Sequence, residues 1–182
     1  EAVIKMLTDV LKSAPISYVK WDMNRHITDI GSALLPAERQ EETSHRYMLG
    51  LYEVMERITS RFPEILFESS SGGGRFDPGM LYYMPQTWVS DNTDAICRTK
   101  IQYGTSLAYP PITMGCHVST VANHQVGRIT PLETRGNVAM AGNFGYELDL
   151  TKLTEEEKEI VKDQIKEYKD IREIIQFGDL YR

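Results

Sequence analysis

Residues 16–26, ISYVKWDMNRH, begin as an interior strand and end in a cluster of charge. Ile16, Tyr18 and Val19 are β-formers suited to a sheet core. Lys20, Trp21, Asp22, Asn24 and Arg25 then follow within six positions. A lysine, an aspartate and an asparagine placed where a buried run ends imply that this strand end faces something other than packing. The fold depends on whether that pattern recurs.

It does recur. The spacing predicts strands over 16–21, 64–68, 87–90, 112–118 and 138–141. Ser69–Ser70 and the glycine run after them follow the second strand, Asp91 and Asn92 the third, His117 and Ser119 end the fourth, and Asn143 follows the fifth. Helices are predicted between them. Over 2–13, Val3, Ile4, Leu7, Val10 and Leu11 share a face, and Pro15 stops the helix. Helical spacing returns over 43–60, 94–107 and 154–175, the last opening on a capping box of Thr154 and Glu157. Alternation of strand and helix gives an α/β fold with parallel strands and helical crossovers. A doubly wound sheet gathers its polar groups at one switch point, whereas polar residues after every strand are the pattern of a (β/α)8 TIM barrel. Five strands do not close eight, so the expectation is the C-terminal part of a barrel, about five βα units over residues 1–182.

Composition narrows the function classes. The 182 residues carry a formal net charge of −6 with 41% hydrophobic residues, which argues against a nucleic-acid surface. No apolar run reaches the ~20 residues of a membrane span. Cys97 and Cys116 are too few for a disulfide framework, and Cys116, in an apolar run, reads as a small core residue. Residue 1 already reads as the middle of a domain, so the chain is expected to be part of a longer one.

Two segments carry candidate chemistry, KWDMNR (20–25) and WVSDNTDA (88–95). Each puts an aspartate just past a strand, Asp22 and Asp91, 69 positions apart. Paired carboxylates across one pocket are the minimum equipment for cleaving a glycosidic bond, one attacking the anomeric carbon and one protonating the leaving oxygen. Lys20 would favour an ionised Asp22; Asp91 has no neighbouring cation in sequence and suits the acid. The alternative, that Asp91 or Asn92 only caps the helix near residue 94, stays open. Trp21 and Trp88, the two tryptophans, flank these aspartates and could stack on a sugar or pack in the core. The run SSSGGG followed by Arg75 lacks a P-loop ending; its glycines suit close backbone approach to a ligand. The four histidines have no metal-ligand spacing, and His117 faces the expected mouth.

Taken together, KWDMNR, GGGRFDPGMLYYMPQTWVSDNTDAI, KIQYGTSLAYPP, MGCHVS and NFGYELDL resemble the microbial α-galactosidases of glycoside hydrolase family 36, in order and over nearly the whole chain. The resemblance implies a (β/α)8 catalytic barrel between an N-terminal β-sandwich and a small C-terminal β domain, with this chain running from the fourth barrel strand to the last helix. It implies retaining hydrolysis of terminal α-1,6-linked galactose, as in melibiose and raffinose. Asp22 would be the nucleophile and Asp91, not Asp94, the acid/base. Lys20 and Asn24 would bind galactose hydroxyls, with Trp21, Ser69, Gly72 and Trp88 as further substrate-binding candidates. No metal or organic cofactor is implied. The implied partners are the galactoside, the rest of the barrel and its flanking domains, with homo-oligomers at full length and a cytoplasmic location. Galactosyl transfer, α-N-acetylgalactosaminidase activity and a non-catalytic sugar-binding barrel are the alternatives.

One departure stands out. The family pattern after the second strand is Glu-Ser-Cys-Ser-Ser-Gly-Gly, and its cysteine lines the galactose site; here Glu68 is followed by Ser69, Ser70, Ser71, Gly72 and Gly73, one residue short. The half-barrel reading predicts that residues 1–182 expressed alone do not yield a soluble, cooperatively unfolding, active monomer, which denaturant titration and a galactosidase assay would check.

Overall fold

The computed structural model describes residues 1–24, 30–70 and 78–181. They fall into two compact units, one holding the described residues up to Pro85 and the other those from Gln86 onward.

In the first unit, α1 (Ala2–Lys12) buries Ile4, Thr8 and Leu11, spaced as one helical stripe. Chain direction reverses at Pro15 and β1 (Tyr18–Asp22) follows. The next helix, α2 (Thr43–Arg61), leads to β2 (Leu66–Ser70), and a short helix, α3 (Pro78–Tyr83), closes the unit. β1 and β2 pair in parallel, Lys20 opposite Glu68, Trp21 opposite Ser69 and Asp22 opposite Ser70. β2 runs unbroken through Ser69 and Ser70, and the Met23 amide donates to the Ser70 carbonyl at 2.8 Å, extending the pairing past Asp22. Ile4, Leu11, Met55, Ile58, Phe67, Met80 and Met84 form the core, with Val19, Trp21 and Met23 packed against it. The helices therefore cover the Val19/Trp21/Phe67/Ser69 face. On the opposite face, Tyr18 and Leu66 are exposed. So is a stripe of α1, Val3, Met6 and Val10.

The second unit contains β3 (Gln86–Trp88), α4 (Ala95–Ser106), β4 (Met114–Ser119), α5 (Leu132–Ala139), β5 (Asn143–Glu147) and α6 (Glu155–Phe177). β3 pairs with β4 and β4 with β5, again in parallel. Met114, Cys116 and Val118 are buried on one face of β4, against which α5 packs. Trp88, Gly115, His117 and Gly145 share the other face by register. Gly145 is required there: a Cβ would lie 2.9 Å from the His117 ring.

The α/β class and parallel pairing agree with the sequence reading. The fifth strand does not. Residues 138–141 finish α5 and its turn, and the strand is Asn143–Glu147. The run VAMA is too short for periodicity to separate a buried helix end from a strand. The buried stripe of α5 is Leu132, Arg135, Gly136 and Ala139, at helical spacing but half of it Arg and Gly, so hydrophobicity hides it. α3 was also unforeseen, because it follows a breaker-rich run of sequence; Pro78 at its first position costs no intrahelical donor. The capping box at α6 is present as read, the Glu157 amide donating to Thr154 Oγ1 at 3.2 Å and the Thr154 amide to Glu157 Oε2 at 3.0 Å.

α5 meets α6 through one amide. Gln164 accepts from the Tyr146 hydroxyl at 2.7 Å and donates to the Leu132 carbonyl at 3.0 Å. A Cβ on Gly136 would lie 2.2 Å from its Nε2. Gly136→Ala should therefore destabilise although Ala favours helix by ~1 kcal/mol. Displacing the buried amide leaves two partners unmade, at ~1–3 kcal/mol each. A rise in the denaturation midpoint when the variant is made in the longer chain would contradict this packing.

Candidate active site

β1 delivers three of the sequence-predicted residues to one place. Alternation along the strand puts Lys20 and Asp22 on the face away from the helices. Asn24, just beyond, donates from Nδ2 to Asp22 Oδ2 at 2.7 Å. The Lys20 ammonium lies 3.7 Å from Glu68 Oε1. Glu68 is 2% exposed and also accepts from the Tyr18 hydroxyl. Burial, then the Glu68 carboxylate, push the Tyr18 phenol well above its usual range, so it stays a donor. Lys20 thus has a carboxylate partner in Glu68. Glu68 was not foreseen as part of the site. Its signal was available: a lone carboxylate inside the apolar run EILFE, at the register position opposite Lys20.

Two expected substrate contacts fall on the wrong face. Trp21 packs against the helix-side core, and Ser69, its register partner, is 0% exposed. A strand shows only alternate side chains to each face, so neither can share a surface with Lys20 and Asp22. Ser70 is the serine on that face, opposite Asp22. Gly72 lies outside the described residues.

In the second unit Asp91 follows β3 and is exposed. It caps no helix. That role belongs to Asp94, whose carboxylate accepts from the Cys97 amide at 2.9 Å and is paired with Arg128. Asp91 Oδ1 instead accepts from the Trp88 indole N–H at 3.0 Å. Trp88 is 5% exposed, with the Arg98 guanidinium 4.7 Å from its ring centre and the His117 ring at 5.1 Å. Little of its ring is left for a sugar, so the structure gives it an orienting role in place of the expected stacking. The Asp91 backbone is fixed as well. Gln125 donates to its carbonyl and accepts from the Thr93 amide at 3.0 Å. Arg98 Nη2 and Nε donate to the Ser90 and Asn92 carbonyls, each at 2.6 Å. Burial pulls the Arg98 pKa down. A cation beside Asp91 does exist, then, supplied by α4. The helical stripe Ala95, Arg98, Gln102 was its trace in sequence. Cys116 is a core thiol as read, its pKa pushed up to about 12 by burial. Among the described residues no group of three or more His, Cys, Asp or Glu side chains could hold a metal ion, and no helix is long and apolar enough to cross a membrane.

The melibiase family profile matches residues 1–178. The chain belongs to the melibiase family. It is 71% identical to the α-galactosidase AgaA of Geobacillus stearothermophilus over 99% of its own length and 25% of that enzyme's. It is 58% identical to α-galactosidase 1 of Pediococcus pentosaceus, with the same shares covered. The crystal structure of an AgaA variant with raffinose superposes with a TM-score of 0.98 at 70% identity, covering 100% of this chain and 25% of that one. The α-galactosidase of Lactobacillus brevis superposes with a TM-score of 0.94 at 50% identity, covering 97% and 24%. This melibiase chain spans about a quarter of the length of the curated relatives it matches.

The Lys20–Glu68 pair gives a direct check of the first cluster. In the longer chain that residues 1–182 are expected to belong to, a double-mutant cycle of Lys20→Met and Glu68→Gln should show a favourable coupling of about 0.5–3 kcal/mol in chemical denaturation. Simple additivity would mean that the pair does not act as a unit.

Proposed function

We propose that this chain is the C-terminal part of the catalytic (β/α)8 barrel of a retaining α-galactosidase acting on terminal α-1,6-linked galactose in melibiose- and raffinose-type oligosaccharides. The observation that carries the reading is the pair Asp22 and Asp91. Each stands at or just past the C-terminal end of a parallel strand, and each carboxylate is held by a side-chain donor, Asn24 or the Trp88 indole. Relatives support it. AgaA has been crystallised with raffinose in a variant carrying an aspartate-to-asparagine change, and with stachyose in one carrying an aspartate-to-alanine change. Those two aspartates are 70 residues apart there, against 69 between Asp22 and Asp91 here. That difference equals the one residue by which the run after Glu68 falls short of the family pattern.

The remaining barrel strands would complete the enclosure. They would cover the exposed Tyr18 and Leu66 face and the Val3, Met6 and Val10 stripe of α1, surfaces that an isolated domain would bury.

In this mechanism the Asp22 carboxylate attacks the anomeric carbon. The C1–O bond breaks as the departing oxygen takes its electron pair and the proton of Asp91, leaving a galactosyl ester on Asp22. Asp91, now a carboxylate, removes a proton from water, whose oxygen attacks C1 and frees Asp22 with net retention. The two-step mechanism needs one carboxyl ionised and the other protonated at the start. Asn24 orients the nucleophile. Lys20, held by Glu68, has ammonium hydrogens to offer to galactose hydroxyls.

In the barrel-complete enzyme, Asp22→Asn is expected to abolish turnover, a loss of at least ~10⁴-fold, while galactose binding measured by calorimetry persists. Near-normal turnover by that variant would end the assignment.

A further inference from the structure

We infer that Arg98 is the positioning residue of the proposed acid/base, clamping the loop and the indole that together aim the Asp91 carboxylate. The inference rests on the reading of Asp91 above. Asp91 is held at three points. Its side chain accepts from Trp88 Nε1, its own carbonyl accepts from Gln125, and the carbonyls on either side, Ser90 and Asn92, accept from Arg98. Arg98 also lies over the Trp88 ring, 4.7 Å from its centre, so the indole that binds the carboxylate rests on the same guanidinium. A third contact, Nη1 to the Gly115 carbonyl at 3.4 Å, ties the group to β4.

The chemistry is specific to arginine. A planar fork can donate to two carbonyls in its plane while its face stacks on an aromatic ring; an ammonium does one or the other. Arg98 is 4% exposed, and its hydrogen bonds among the described residues go to backbone carbonyls. A buried cation bonded to carbonyls is a costly way to pack a helix. The cost is understandable where the carbonyls belong to the residues flanking a proton-transferring group, because small displacements of such groups cost large factors in rate. The charged and titratable groups around it are Asp91, Glu147 and Cys116, and the His117 ring lies tilted against the same indole.

Leaving-group dependence tests the idea. In the barrel-complete enzyme, Arg98→Lys and Arg98→Met should lower kcat with little change in KM. The loss should be about tenfold or more greater for raffinose, whose departing alcohol needs a proton, than for 4-nitrophenyl α-galactoside, which does not. A residue that only supports the fold would cost both substrates equally, and equal losses would overturn the proposal. Asp91→Asn is measured alongside. If it spares raffinose turnover, the reading of Asp91 fails and the inference falls with it. If it shows the leaving-group effect and the Arg98 variants do not, only the inference falls. Should neither Arg98 variant fold, the wild-type protein decides. The Arg98 Nε–H and Trp88 indole N–H resonances are expected to exchange slowly with solvent and to shift together as Asp91 titrates. An Arg98 signal in fast exchange, or blind to that titration, overturns the proposal.

Discussion

A parallel strand offers only every second side chain to each of its faces, and the chemistry of this molecule is organised by that constraint. In β1 the odd-numbered Val19 and Trp21 go to the helices, while Tyr18, Lys20 and Asp22 go to the other side. β2, in register, sends Phe67 and Ser69 to the core and Glu68 and Ser70 to the polar face. Shifting either strand by one residue would exchange the two sets, placing two charges among methionines and an indole in water. The core of Met55, Ile58, Met80 and Met84, each 0% exposed, therefore fixes the polar face as firmly as it fixes stability. Met, with its adaptable side chain, suits a core that must be filled from helices of unequal length.

The segments that follow β3 and β4 are held by a second device. In the second unit that device is a buried arginine on the succeeding helix, turned back toward the loop. Arg98 of α4 holds the Ser90 and Asn92 carbonyls after β3. Arg135 of α5 holds the Ser119 and Thr130 carbonyls after β4, at 2.6 and 3.0 Å. Burial lowers the pKa of each guanidinium, yet an arginine begins so far above neutrality that it stays charged. Each bond from a charged donor to a carbonyl contributes ~1.5–3 kcal/mol, enough to hold a short loop against its own entropy. Asp94, buried as an N-cap and paired with Arg128, braces the segment after β3 from its far end.

These two devices account for what the chain can offer as a family member. The nucleophile candidate sits on a strand, where geometry is stiff. The acid candidate sits on a loop, where geometry must be imposed by Arg98, Gln125 and Trp88. A nucleophile that must approach a carbon in line gains from the first arrangement. A group that exchanges its proton with a leaving oxygen and then with water gains from exposure, which a loop provides.

Much of this was legible in the residues. Alternating strand and helix patterns, polar residues after each strand, and the motifs around Asp22 and Asp91 declared an α/β parallel fold and its candidate chemistry, because period and composition are local properties. The capping box of α6 was readable for the same reason. What the sequence hid was anything decided by a partner distant in the chain. The faces of Trp21 and Ser69 depend on register, the role of Trp88 on Arg98 and His117, and the partner of Lys20 on Glu68, 48 positions away. α5 was missed because an arginine and a glycine fill half of its buried stripe, and only α6 and the loop after β4 explain why they belong there. Sequence by itself determined which groups are present and roughly where along each strand they occur. Tertiary structure alone decided which way they point and what holds them, since orientation is set by packing and hydrogen bonding between segments that do not adjoin.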